Sequence, residues 1–103
     1  MLQVIVLTFL GGLMGTNGIP HFVQGITARE YPNVTGNSAT NNAVAGLAAF
    51  AIAGVLIALA HVDRHPWAAL IAGALGTVVM SVFHARRGAF WMSRRFGKPL
   101  PEV

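Results

Sequence analysis

The chain has no cysteine and very little charge: among 103 residues there are seven Lys or Arg and only three acidic side chains. Without thiols there are no disulfides, no thiolate metal sites and no cysteine nucleophile. The three carboxylates, Glu30, Asp63 and Glu102, all lie outside the hydrophobic stretches, so no carboxylate pair for acid–base chemistry sits within an apolar segment. Neither a Gly-x-Ser-x-Gly nor a His-Glu-x-x-His element occurs, and there is no phosphate-cradling glycine loop. Hydrolytic chemistry has nothing to build on, no catalytic residue is assigned, and a non-enzymatic role is expected.

What fills the chain instead is apolar: 54% of residues are hydrophobic and the mean hydropathy is +0.61. From Met1 to Ala28 the only groups able to carry charge near neutrality are the amino terminus and His21, and from Tyr31 to Val62 the only one is His61. Such lengths exceed the roughly 20 residues that a helix needs to cross a bilayer. The N-terminal stretch lacks the basic start and small-residue cleavage site of a secretory signal, so it reads as a retained span. The expected fold is all-α, a single membrane domain over 1–103 with spans at about 2–28, 41–61 and 66–85 and a tail at 86–103. The first helix is expected to kink or break near Pro20, ending near Gly18 in the latter case. Pro66 suits the first turn of the third helix, and Asp63 is a candidate cap for it.

Basic residues set the orientation. With three spans, one side carries only Arg64, and the other carries Arg29, Arg86, Arg87, Arg94, Arg95 and Lys98. The C-terminus is therefore expected in the cytoplasm and the N-terminus outside, in a bacterial inner membrane. The sequon Asn33-Val34-Thr35 then falls on the cytoplasmic side and carries no meaning for glycosylation.

Small residues mark close packing of helices in lipid. The candidate packing rows are Gly11, Gly15 and Gly18 in the first helix, Ala45, Ala49 and Ala53 in the second, and Ala69, Gly73, Thr77 and Ser81 in the third. These rows serve either the internal contacts of the bundle or a contact with another chain. With a row on every helix, at least one is expected to meet a partner.

Polar residues inside a span are the other signal. Asn17, His21 and Gln24 fall at i, i+4 and i+7, on one helical face. His21 is about 28 Å along the first helix and His84 about 27 Å along the third, at a rise of about 1.5 Å per residue. Asn41 and Asn42 begin the second helix at the same level. The six residues Asn17, His21, Gln24, Asn41, Asn42 and His84 thus form a candidate polar layer, roofed by the connection from Arg29 to Thr40. The layer is either a ligand site or a set of helix cross-links, with Asn41 and Asn42 capping the second helix in the latter case.

The run Asn17-Gly18-Ile19-Pro20-His21-Phe22-Val23-Gln24-Gly25, followed by Tyr31-Pro32 and a polar turn leading to Asn42 and Gly46, resembles a group of uncharacterised small bacterial membrane proteins. Their shared element is Pro-His-Phe after the first hydrophobic helix. The likeness spans about residues 11–47, and the second helix here lacks the Trp-Gly pair of that group. It implies a bacterial source and no particular activity.

Other chemistry is less well founded. His61-Val62-Asp63-Arg64-His65 has ligand types at metal-like spacing, but Pro66 resets the backbone beside it and Arg64 repels a cation, so no metal is assigned. No cofactor is expected; a quinone at the layer, or a haem between His21 and His84, is the minor reading. Arg86, Arg87, Trp91, Arg94 and Arg95 in the tail are expected to meet lipid headgroups, anionic ones included, rather than nucleic acid. Gly88 is expected to interrupt any helix there. The leading functional expectation is an accessory or scaffold subunit, packed against a larger membrane complex or against its own copies. The alternatives are a small carrier or channel-like oligomer that binds a solute or proton at the polar layer, and a quinone- or haem-associated redox component.

Overall fold

The computed structural model describes residues 1–101. It is helical throughout its regular structure: α1 (Leu2–Ile26), α2 (Ala39–Ala60), α3 (Pro66–Ala85) and α4 (Gly88–Arg95), with a short 3-10 turn at Val62–Arg64 between α2 and α3. The first three are long and apolar enough to cross a membrane. Large apolar side chains point outward on all of them, including Ile19, Val23, Leu47, Val55, Leu70, Leu75 and Val79. Most buried positions on them are small: Ala49, Ala60, Ala69, Ala72, Gly11, Gly18, Gly46 and Gly76, beside Val4, Thr8, His21 and Asn42. That distribution suits a lipid surround, where exposing leucine costs nothing and backbone proximity supplies the packing.

α1 is the central element. It packs against both α2 and α3, which make little or no contact with each other. Its glycines divide the work. Gly11, Gly15 and Gly18 face α2, meeting Ile57, Ala53, and Gly46 with Phe50 respectively, while Gly12 lies against the backbone of Gly73 on α3. On α3 the Cα of Gly76 sits so near the Phe9 carbonyl that a methyl group there would overlap it. On α2, Ala49 is buried, and Ala45 and Ala53 are half-buried.

The four-residue row on α3 is used only in part. Ala69 is buried and Gly73 is half-buried, whereas Thr77 and Ser81 are exposed, with the Ser81 hydroxyl returned to the Thr77 carbonyl at 2.7 Å. A row at i, i+4 drifts around the helix by about 40° per step, so it leaves the contact face within two or three turns. The face that meets α1 runs instead through Ala69, Ala72 and Gly76.

The helix ends differ from expectation in two places. Ser38 caps α2, its hydroxyl accepting from the Asn41 N–H at 3.1 Å, which frees Asn41 and Asn42 for other bonds. Asp63 lies in the 3-10 turn and does not cap α3; His65 stands at that position without a side-chain cap, and Pro66 occupies the first turn. α1 runs on through Pro20 to Ile26 rather than ending at Gly18. Pro20 deprives the Thr16 carbonyl of its helical donor. On either side of it, however, Asn17 is bonded to α3 and His21 to α2, so neighbouring helices hold both halves of α1.

Gly76→Ala is expected to push α1 from α3 and to lower stability by about 1–3 kcal/mol, the usual range for overpacking. Gly54, where an added methyl group would meet no neighbour within 4 Å, supplies the control: Gly54→Ala is expected to be neutral or stabilising by up to about 1 kcal/mol. Unfolding of both variants in detergent by denaturant titration checks the contrast.

Candidate functional site

At the end of the bundle that carries the α1–α2 connection, three helices and the connection itself converge on one polar network. Its centre is Asn42, fully buried near the start of α2. The Asn42 amide nitrogen donates to the carbonyls of Tyr31, Asn37 and Ser38 at 2.9, 3.1 and 3.0 Å. Three acceptors around Nδ2 fix which end of the amide is oxygen. That oxygen lies 2.6 Å from His21 Nδ1, so Nδ1 carries a proton and donates it. In the neutral ring His21 Nε2 is then a lone-pair acceptor.

His84, on the last turn of α3, is bound differently. Its Nε2 lies 2.9 Å from Asn17 Oδ1, and its Nδ1 lies 3.2 Å from the Tyr31 hydroxyl. With Nε2–H donating to Asn17 and the phenol donating to Nδ1, both ring nitrogens are engaged. The His21 and His84 rings meet edge to face with centroids 5.8 Å apart, and Tyr31 stacks its ring edge-on to His21 at 5.1 Å. Burial raises the Tyr31 pKa from its ordinary value of 10.0, partly offset by the positive charge of nearby Arg87. The phenol therefore keeps its proton, and its place as donor to His84, at neutral pH.

The tail completes the site. Arg87 takes a left-handed conformation, φ 61°, which turns the chain back over the ends of α1 and α3. Gly88 opens α4 instead of breaking it, and its missing side chain makes room for Phe83, whose ring a methyl group there would overlap. α4 lays Gly88, Ala89 and Ser93 inward and leaves Arg94, Arg95 and Trp91 exposed, along with Arg86 and Arg87 before it. The fold-back is fastened by Phe90 against Tyr31, with ring centroids 5.9 Å apart, while at the start of α4 the Arg87 guanidinium covers the Phe90 ring at 4.1 Å from its centroid. Farther along, Asn37 Nδ2 donates to the Pro99 carbonyl at 2.7 Å.

Between these parts lies a cavity of about 200 Å³ lined by Asn17, His21, Asn33, His84 and Ser93 on the polar side, and by Pro32, Val34, Phe83, Ala89 and Met92 on the apolar side. No charged side chain is among the lining residues. Ser93 is wholly buried, and its hydroxyl has no hydrogen-bond partner among the described residues. A helical serine ordinarily returns its hydroxyl to the carbonyl one turn back; Ser93 does not, and a buried hydroxyl left unpaired is costly. His21 Nε2 also has no hydrogen-bond partner among the described residues, so two of the lining residues each carry an unpaired polar atom.

Of the six polar residues singled out in the sequence, Asn17, His21 and His84 line the cavity and Asn42 stands directly behind His21. Gln24 and Asn41 do not line it; Asn41 instead bonds Thr35 Oγ1 and the Gly36 carbonyl within the connection, at 3.0 and 2.6 Å. Tyr31, Asn33 and Ser93 belong to the site although no sequence pattern marks them. Tyr31 and Asn33 sit in what reads as a turn-rich roof, and Ser93 sits in what reads as a lipid-binding tail. A spacing of four between Ala89 and Ser93, on the face opposite Trp91 and Arg95, is the one sequence signal that α4 has an inward side. At the other end of the molecule His61 and Asp63 are exposed and His65 is half-buried, and no group of three or more metal-ligating side chains comes together among the described residues.

No protein-family model, curated protein or solved structure matches this chain at a significant level.

The raised Tyr31 pKa gives a signed prediction. A phenol whose folded pKa exceeds its unfolded value holds its proton while the unfolded chain releases one, so stability falls as pH rises through that interval. Thermal unfolding in detergent is expected to show a loss of stability beginning near pH 10 and continuing above it. In Tyr31→Phe that alkaline component is expected to be smaller, at the cost of a lower melting temperature at about pH 8, where the hydrogen bond to His84 is lost. Equal pH dependence in the two proteins would remove Tyr31 from the network's energetics.

Proposed function

We propose that this protein binds a small uncharged solute in the cavity beneath α4, as a membrane binding protein or small carrier without hydrolytic chemistry. The observation that carries this reading is the buried, unpaired Ser93 hydroxyl, on a residue that lines the cavity together with His21. A network serving only to cross-link helices would be expected to satisfy its own members, as the bonds of Asn42 and His84 do. Two unpaired groups on residues that line one uncharged cavity favour a bound molecule that supplies the missing partners. The proposed location is the bacterial inner membrane with the N-terminus outside, after the bias of basic residues toward the cavity end. Arg86, Arg94, Arg95 and Trp91 then hold α4 at the cytoplasmic headgroups, anionic lipids included.

A second reading, as a scaffold for a larger complex or a homo-oligomer, is supported by a different face. The rows through Gly11, Gly15, Gly18, Ala49 and Ala53 are taken up by contacts within the chain. Ala48, Ala51, Gly54 and Ala58 on α2 are all exposed on the side away from α1, and such a strip permits close approach by another helix.

Each reading has its test. Gently purified wild-type protein is expected to release on extraction a small compound at close to one per chain, detected by mass spectrometry. Met92→Phe, which adds a ring to the cavity wall without removing any hydrogen bond, is expected to deplete it severalfold. A wild-type extract holding only bulk lipid would overturn the binding reading. For the scaffold, native mass spectrometry in mild detergent is expected to give a dimer or larger complex that Gly54→Leu reduces to monomer. A wild-type monomer would dismiss the outer strip.

A further inference from the structure

Resting on the binding reading, the cavity's chemistry narrows the class of occupant. We infer that it receives a hydroxylated aromatic ring, a phenol or the headgroup of a quinol, held through its hydroxyls by His21 and Ser93. Four features of the lining point the same way.

First, the cavity lacks charge of either sign, and transferring an ion into such a site without a counter-charge is strongly unfavourable. Its occupant is neutral. Second, the size is that of one ring: an apolar cavity of about 150 Å³ takes a benzene molecule, and about 200 Å³ here leaves room for one or two oxygen substituents. Third, the walls suit a ring face and edge. His21, His84 and Phe83 line the cavity, with Phe83 and His84 edge to face at 5.2 Å, and aromatic rings favour further edge-to-face or offset partners. Met92 adds a polarizable thioether, which packs well on aromatic groups.

The fourth feature fixes the polarity of the contact. Asn42 compels His21 to donate through Nδ1, so in the neutral ring Nε2 accepts and calls for an O–H or N–H on the ligand. A ketone or ether oxygen has no hydrogen for it; a phenolic hydroxyl does. Ser93 both donates and accepts, and is free to meet a second ring oxygen. A hydroxyl for His21 and a second oxygen for Ser93 on one ring describe a dihydroxybenzene, the class to which hydroquinone belongs. The amide nitrogen of Asn17, whose oxygen is taken by His84, is a further donor at the same wall.

Equilibrium dialysis of the full chain in nanodiscs against a set of single-ring probes tests the inference. Hydroquinone and phenol are expected to bind saturably, with toluene, which lacks the hydroxyl, about fivefold or more weaker, the loss expected for one hydrogen bond. Cyclohexanol is expected to be weaker than phenol, and benzoate not to bind. Ser93→Ala, which removes no existing hydrogen bond and leaves α4 intact, is expected to weaken hydroquinone about fivefold while leaving toluene unchanged. Toluene binding as tightly as phenol, or Ser93→Ala leaving hydroquinone unaffected, would overturn the hydroxyl contacts. Cyclohexanol binding as tightly as hydroquinone would overturn the ring and leave a small-solute site. Failure of every probe while the wild-type extract still holds a compound would overturn the aromatic occupant and leave the binding reading, whereas an empty extract removes the binding reading itself. A quinol bearing one isoprene unit separates the sources: tighter binding than hydroquinone assigns the site to membrane quinols, and equal binding assigns it to free phenols.

Discussion

Close approach of backbone to backbone along α1 is the constraint on which the remaining structure depends. In lipid, apolar side chains gain little by meeting one another, so helices associate through dispersion contacts and buried hydrogen bonds that require short separations. α1 provides both. Gly11, Gly15 and Gly18 admit α2 on one side, and Gly12, with Gly73 and Gly76 opposite, admits α3 on the other. Because α2 and α3 each pack on α1 and hardly on each other, every side chain that must be shared among the three helices has to project from α1. Asn17 and His21 are those side chains.

The hydrogen bonds of the cavity end follow from this arrangement. Asn42 reaches three carbonyls of the connection and the ring of His21 at once, so a single buried amide sets the path of the loop and the tautomer of the histidine. Across α1, His84 takes one partner from α1 and one from the loop. The two histidines differ in consequence despite lying 5.8 Å apart: His84 is saturated, and His21 keeps a free acceptor. The tail then closes over them through the left-handed turn at Arg87 and the small inward face of α4, which brings Ser93 to the same cavity.

Much of this was legible before the fold was known. Three charge-free runs of sufficient length mark the spans, and a constant rise per residue puts Asn17, His21, Asn42 and His84 at one depth. Legibility failed where neighbours in space decide. Gln24 shares a helical face with Asn17 and His21 but lies outside the cavity, and Asn41, adjacent to Asn42, turns into the connection. Adjacent helix positions are separated by about 100°, so one asparagine is buried and the next is not. Thr77 and Ser81 continue a small-residue row that the contact face has already left.

The sequence by itself determined the number of membrane-length helices, their lengths, their apolar character and the shared level of Asn17, His21, Asn42 and His84 along the bundle, because each depends on composition and on a fixed rise along one helix. The tertiary structure alone decided that α1 is central, that Asn42 joins the connection to His21, and that the basic-aromatic tail folds back as a wall. Those outcomes rest on contacts between distant segments, such as Gly25 against Ala43 and Phe90 against Tyr31, and no local pattern encodes which segments will meet. The free nitrogen of His21 and the unpaired hydroxyl of Ser93 belong to the same class: each side chain is ordinary in sequence, and only its three-dimensional partners leave one atom without a bond.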